Sequence, residues 1–370
     1  MGCTRGEVSE ERGVKMGKRT AVFAVLCAMT TAPTPATAAL PFEQDILAVR
    51  SVAREVTIPS DPGVTLAGTL RLPQVHGHGP VPLVIVVQGH GPNGRGGFDR
   101  LMQRWLADGI ATLEYDKRGV GRSTGTYVED NRKLARDATA AVAAMRRLPQ
   151  IDGDRILMVG HSQGGAIVPG IAAADPRIAG VVTLAGPAGD GLDLFATSMH
   201  DNLVLSGHPE ATVAPLVATA TQLIAARVAH ADDATIDRLR TATIRGFVAN
   251  GFSREGAAGA LAAIDNPEIY QIADAHIATA FKALHVPVLQ VFGALDPFVP
   301  ARGNAPAARA ALAGNPRAQV VVFDGMSHWL KDGAKTGSEA ENATLGPNLG
   351  SPRMVKLVGD WVEATLKPIR

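Results

Sequence analysis

The residues most capable of chemistry sit in one short stretch, Gly160-His161-Ser162-Gln163-Gly164. An apolar run, Ile156-Leu157-Met158-Val159, leads into it and reads as a short buried strand. A small-residue run over 166–174 follows and reads as the start of a helix. Strand, G-x-S-x-G, helix is the pattern of a nucleophile elbow. The turn is so tight that the serine is held in strained backbone with its hydroxyl away from the sheet. Gly160 and Gly164 keep side chains out of that turn, and Gly165 lets the new helix lie close to the strand. The bare pattern is weak in a chain with 40 glycines among 370 residues; its strand-turn-helix setting gives it weight.

A serine hydroxyl attacks only when a base takes its proton, and the base needs an acid to orient it. The chain supplies both on later strand ends, in the order serine, acid, histidine. A strand expected over 287–292 runs into Gly293-Ala294-Leu295-Asp296-Pro297. Another over 319–323 runs into Asp324-Gly325-Met326-Ser327-His328-Trp329. Asp296 and His328 are therefore the candidate acid and base for Ser162. Asp190 and Asp193, after a strand at 178–185, are competing acids; Asp324 suits closing the turn. An oxyanion hole needs two backbone N–H groups. Gln163, just after the nucleophile, offers one. The loop after a strand at 81–88 offers the other, and His90 is the candidate donor. The side chains of His90 and His161 are candidates to pack around the serine, or simply to fill their loops.

That loop has a rival reading. Gly89-x-Gly91-x-x-Gly94 after a strand matches a dinucleotide fingerprint, with Glu114 or Asp116 on the next strand end. Pro92 counts against it, because it sits where backbone N–H groups should open a helix towards a pyrophosphate. A preceding hairpin, where the fingerprint should open the fold, counts against it too.

These residues need a parallel sheet to position them. Runs at 55–58 and 65–72 flank Pro59-Ser60-Asp61-Pro62-Gly63 and read as a hairpin; 42–54 reads as a short helix or extended arm. The continuous apolar run at 81–88 reads as a strand buried on both faces. Helices at 101–107 and 131–148 alternate with strands at 110–115, 156–160 and 178–185, which predicts right-handed crossovers. From 187 to 284 the chain turns alanine-rich and helical, with Ile236, Leu239, Phe247 and Val248 marking one amphipathic helix. A loop of ~100 residues is too long to be structureless, so this reads as a helical cap. A helix at 305–312 and a last helix at 352–366 complete an α/β core of 40–186 and 285–370.

The first residues read as targeting. Lys15, Lys18 and Arg19 precede a short apolar stretch at 21–29, then Pro33, Pro35 and Ala36-Thr37-Ala38, an A-x-A signal. Residues 1–39 are expected to be a signal peptide with an upstream extension, cleaved near Ala38 or Ala39, with Met16 the more natural start. The apolar stretch is too short to span a bilayer. The expected product is secreted or periplasmic and has no stable membrane anchor. Cys3 and Cys27 both fall in the removed part, which leaves no cysteine for disulfides, thiolate catalysis or zinc. His76-Gly77-His78 lacks a third metal ligand and reads as a solvated loop. With net charge +1 and no basic stripe, nucleic acid is not an expected partner.

Five landmarks in order resemble the exported esterase and serine-aminopeptidase-like group of α/β-hydrolases. They are the Gly89-x-Gly91-Pro92 loop; Tyr115-Asp116-Lys117-Arg118-Gly119-x-Gly121-x-Ser123; Gly160-His161-Ser162-Gln163-Gly164-Gly165; Gly293-x-x-Asp296; and Ser327-His328. The resemblance covers about residues 55 to 366, with Gln88 standing where the group usually has histidine. It implies an α/β-hydrolase fold, a mostly parallel twisted sheet flanked by helices. It implies hydrolysis of a small-molecule carboxylic ester through an acyl-enzyme, with no metal or organic cofactor. It also implies structural roles for Asp116 and Arg118. Aminopeptidase and thioesterase activity belong to the same group, so the fold alone does not choose among them. An aminopeptidase would need cap carboxylates for the substrate amine, for which Asp232, Asp233 and Glu255 are candidates. A binding protein that has lost turnover is a third reading. The alanine-rich cap, poor in aromatic residues, points to short acyl chains.

Overall fold

The computed structural model describes residues 51–74 and 79–367. The expected signal peptide, the start of the 42–54 segment and the His76-Gly77-His78 motif lie outside them. The described chain opens at Ser51 directly in a strand, β1 (Ser51–Pro59), which pairs antiparallel with β2 (Thr65–Pro73) from Ser51↔Pro73 to Pro59↔Thr65. Gly63, at φ 78°, turns the connecting hairpin.

The sheet then becomes parallel. Its strands are β3 (Val81–Val87), β4 (Ala111–Tyr115), β5 (Ile151–His161), β6 (Ile178–Leu184), β7 (Val288–Gly293) and β8 (Ala318–Phe323), in the spatial order β1-β2-β4-β3-β5-β6-β7-β8. The apolar run of β3 explains its central place. Leu83, Ile85 and Val87 enter the core on one face; Val84 and Val86 enter the core on the other. Each such side chain, fully buried, contributes about 1.5–3 kcal/mol. On the first face lie α2 (Asn131–Met145), α3 (Gln163–Ala174) and α10 (Ala301–Ala311), presenting Leu134, Val142, Val168 and Ala308. On the second lie α1 (Asp99–Ala107) and α11 (Pro352–Leu366), presenting Leu101, Trp105, Val358 and Val362.

Several boundaries differ from the sequence expectation, the starts of β5 and α10 among them. β5 starts at Ile151, before the apolar run, because the polar Asp152 to Arg155 stretch is drawn into the strand with an Arg155–Asp152 ion pair of 2.7 Å. α10 starts at Ala301 and carries Pro306 inside it.

Between β6 and β7 come α4 (Gly191–Leu205), α5 (Glu210–Val228), α6 (Asp233–Ala249), α7 (Arg254–Ile264), α8 (Pro267–Ala273) and α9 (Ile277–Lys282). The first five share their own core, with Phe195, Leu203, Leu216, Leu223, Phe247 and Leu261 buried together. The sixth does not join it: Ile277 and Phe281 of α9, with Leu284, pack into the sheet core. α5 is apolar enough to cross a membrane by length and composition, yet its Val213, Leu216, Leu223 and Ile224 fill the cap core.

Glu114 is a buried carboxyl in β4, accepting the Gly96 N–H at 3.0 Å. Burial, with Asp99 adding to it, pushes its pKa up from 4.5 to about 7. A folded pKa above the unfolded one gives stability that is full below the unfolded pKa and lost as pH rises through the folded one. Glu114→Gln keeps an acceptor and removes that loss. It should be more stable than the parent at pH 8, by on the order of 1–3 kcal/mol, and should lose the advantage near pH 4.5. Thermal melts across that range would show it; a constant difference at all pH values would mean that the carboxyl does not titrate there.

Candidate active site

Parallel strands deliver their C-terminal ends to one edge of the sheet, where loops can meet. Ser162 follows β5, Asp296 follows β7 and His328 follows β8, and the three side chains meet. His328 Nε2 lies 3.1 Å from Ser162 Oγ, and His328 Nδ1 lies 2.8 Å from Asp296 Oδ2. A carboxylate only accepts, so Nδ1 carries the proton and Nε2 is left to receive the serine hydroxyl. Asp296 Oδ1 accepts the N–H groups of Phe298 and Val299, both at 2.8 Å. Asp296 and His328 are buried. The rings of His161, Phe298 and Trp329 stand 5.2, 5.1 and 5.6 Å from the His328 ring and fix its plane. His161 donates Nε2–H to the His328 carbonyl at 3.3 Å, and burial, with His328 beside it, drives its pKa down to about 3. It is therefore a neutral prop for the base.

Ser162 stands at φ 51° and ψ −118°, a conformation that costs a non-glycine residue about 1–3 kcal/mol. Its N–H donates to Leu184 O at 2.9 Å, and its carbonyl accepts the Gly165 N–H at 2.8 Å. The surrounding glycines are sterically required. A Cβ on Gly160 would sit 2.3 Å from Gly164 O, one on Gly164 would sit 2.1 Å from Val87 O, and one on Gly165 would sit 2.7 Å from Gly186 Cα.

The loop after β3 reaches the same point: a Cβ on Gly89 would lie 3.2 Å from Ser162 Cβ. Asn93 Nδ2 donates to the Gly89 and His90 carbonyls at 2.9 and 2.7 Å. Gly91 N–H is taken by Glu129 Oε1 at 2.7 Å, while among the described residues His90 N–H has no partner. Gln163 heads α3, where first-turn N–H groups have no acceptor within the helix. Gln88 occupies the expected histidine position and ties the loop by donating Nε2–H to Gly96 O at 2.9 Å. The His90 ring faces α8, its buried Nε2 lying 3.6 Å from Glu268 Oε2.

The other candidates fall elsewhere. Asp190 and Asp193 are exposed at the start of α4, and Asp324 is exposed after β8. Asp232 caps α6 by accepting the Thr235 N–H at 2.8 Å; like Asp233 and Glu255 it is exposed on the cap. Asp116 accepts the N–H groups of Arg95 and Arg122, and Arg118 forks onto Asp137 at 2.8 Å, so both build the turn after β4. No helix begins at Gly89 to Gly94; the next one starts at Asp99. The loop does not form a dinucleotide cradle. Among the described residues, no cluster of His, Cys, Asp and Glu has the makings of a metal site.

Four contributors lie outside the candidate residues read from sequence: Glu129, Asn202, Ser198 and Asn93. Glu129 is buried before α2. Asn202 and Ser198 of α4 donate to the Pro297 carbonyl at 3.1 and 3.2 Å, so the cap grips the loop that bears Asp296. Asn93 had a usable signal, an asparagine in a glycine-rich turn. Glu129 and Asn202 had none.

Residues 79–248 match the family model described as serine aminopeptidase, S33, a span that holds Ser162 and ends before Asp296 and His328. The quorum-quenching protein AidA of Acinetobacter baumannii is 34% identical over 123 residues, 33% of this chain and 39% of that protein. Esterase EstD of Thermotoga maritima is 31% identical over 131 residues, 33% of this chain and 31% of that one. The chain thus spans well under half the length of these curated relatives. An esterase structure from Pyrococcus furiosus matches 91% of this chain and 99% of its own at a TM-score of 0.55 and 14% identity, a likeness of fold. The eight-stranded sheet, the elbow and these likenesses together define the class of fold: the chain has the α/β-hydrolase fold.

The elbow's steric demand is testable with two alanines. Gly164→Ala should cost at least ~3 kcal/mol, because backbone lies on the path of the new methyl group. Gly170→Ala, in the same helix with nothing within 4 Å, should be neutral or gain up to ~1 kcal/mol. Equal melting temperatures for the two variants would refute the argument.

Proposed function

We propose that the protein is a serine hydrolase of carboxylic esters. The supporting observation is the hydrogen-bonded line from Ser162 Oγ through His328 to Asp296. Ser162 Oγ attacks the acyl carbonyl as His328 Nε2 takes its proton. Asp296 holds His328 in the required tautomer, and the N–H groups of His90 and Gln163 receive the oxyanion. Collapse expels the alcohol, which takes the proton from His328, and water releases the acyl group by the same route. Ser162→Ala should lower hydrolysis of p-nitrophenyl butyrate by more than a thousandfold while the protein stays folded. Greater residual turnover would put the nucleophile elsewhere.

Short acyl chains suit the reading best. His328 is walled by Phe298 and Trp329, and the cap's buried face is largely alanine and aliphatic, with little aromatic grip. Rates along a p-nitrophenyl ester series should peak below eight carbons or so, and a maximum at twelve or more would overturn this. An aminopeptidase reading has one supporting contact: Glu268, not the acids expected from sequence, is the cap carboxylate that reaches the His90 loop. Faster turnover of proline p-nitroanilide than of an acetyl ester would favour it.

Export belongs to the same proposal, supported by the Ala36-Thr37-Ala38 signal. Sequencing the amino terminus of the cell-exported protein should find a start at Ala39 or Leu40; an intact Met1 or Met16 would count against it.

A further inference from the structure

The two candidate oxyanion donors belong to separate elements; the pairing of β3 with β5 brings these near each other, and a side chain links the two donor-bearing segments directly. His90 lies on the loop after β3; Gln163 heads α3. One carboxylate spans them. Glu129 Oε1 accepts the N–H of Gly91, the residue after His90, at 2.7 Å, and Glu129 Oε2 accepts from Gln163 Nε2 at 2.8 Å. We propose that Glu129 is a positioning residue for ester hydrolysis, a clamp that sets the separation of the His90 and Gln163 N–H groups. The inference rests on the serine-hydrolase reading above.

The rest of the cluster supports the clamp. Tyr127 Oη also donates to Glu129 Oε1. Lys117 Nζ donates to Gln163 Oε1 at 3.0 Å and approaches Glu129 Oε1 at 3.5 Å, with the two ionic side chains only 5% and 2% exposed. The Gln163 amide is therefore held at both ends. On the loop side, Asn93 holds the Gly89 carbonyl, and in a trans peptide the His90 N–H points the opposite way. Asn93 also holds the His90 carbonyl, which aims the Gly91 N–H at Glu129. Both carboxylate oxygens are used, and they face opposite donors; a shorter acid could not reach both. Burial raises the Glu129 carboxyl, but Lys117, His90, Tyr127 and Gln163 outweigh it and hold it below the usual range. It is a fixed anion. A buried ion pair adds little net stability against an apolar alternative, so stability alone does not account for the cluster's place here.

The test begins with Glu129→Gln, which is isosteric but must turn an NH2 towards either Gly91 N–H or the Gln163 amide. Loss of one oxyanion donor typically costs a hundredfold or more in kcat. A misplaced pair should cost ~30-fold or more in kcat on p-nitrophenyl butyrate, with KM changed less than about threefold. Affinity for phenylboronic acid should fall in parallel with kcat. That acid adds to the serine and places an oxygen in the same hole. If Glu129→Gln does not fold, Gln163→Met is the second variant; it removes the tether and keeps the backbone donor, and it should show the same split. Wild-type kcat and boronate affinity in a folded variant, or a loss confined to KM, would overturn the proposal. Failure of the hydrolase reading looks different: Ser162→Ala would then keep the activity of the parent.

Discussion

The backbone of Ser162 is the constraint on which the rest of the site depends. At φ 51° and ψ −118° the chain turns from β5 into α3 within one residue, and the hydroxyl is left at the strand's tip. That conformation is unfavourable for any residue with a side chain, so it persists only where its neighbours forbid relaxation. They do so by contact. Val87, Gly164 and Gly186 backbone close in to distances that admit no methyl group at Gly160, Gly164 or Gly165. The packing that strains the serine also draws β3 and β6 against the turn. The β3 loop consequently arrives beside Ser162, and the Leu184 carbonyl is in place to take the serine N–H. Ser162, the loop after β3 and the end of β6 meet at one tight turn.

The acid is held differently, from two sides. Within its own loop, Asp296 is fixed by the Phe298 and Val299 N–H groups. From outside, α4 donates Asn202 and Ser198 to the Pro297 carbonyl, and Arg302 at the start of α10 pairs with Asp201. Asn304 of α10 in turn accepts the Ala188 N–H at 3.0 Å, on the segment leading into the cap. α4 is thus a buttress of the loop that bears Asp296. Gly191 shows how closely it is built in: a Cβ there would fall 1.7 Å from the Ile272 carbonyl of α8.

The sheet, and the Ser162, Asp296 and His328 side chains that meet at its edge, were legible in the sequence for a physical reason. Buried parallel strands are apolar runs, and an elbow needs glycines at fixed offsets, so both leave local marks. Val81 to Val87 and Gly160 to Gly165 are examples. The supports left none. Glu129 is one of two adjacent acids in a polar stretch and Asn202 a lone amide in a helix, and what matters about each is a partner 34 or 95 residues away. Polar residues whose partners are remote have no period and no motif. The cap's limits were blurred for a related reason: α9 has the same alanine-rich composition as its neighbours, and only packing shows that it serves the sheet core.

The same contrast explains why Gly89-x-Gly91-x-x-Gly94 does not behave as a phosphate loop. Such a loop works by aiming free N–H groups at a negative charge. Here the loop N–H groups already face negative charges of the protein. Gly91 donates to Glu129, Arg95 to Asp116 at 2.9 Å and Gly96 to Glu114 at 3.0 Å. Glu114 on β4, Asp116 just after it and Glu129 before α2 draw the loop to that side, and a phosphate approaching the same face would meet acids. The pull has a constructive result at His90. With the Gly89 carbonyl held by Asn93, the His90 N–H of the same peptide points the opposite way, apart from the acids that take its neighbours. Glycines make this loop able to bend, but the placement of carboxylates around it decides what its amides can bind.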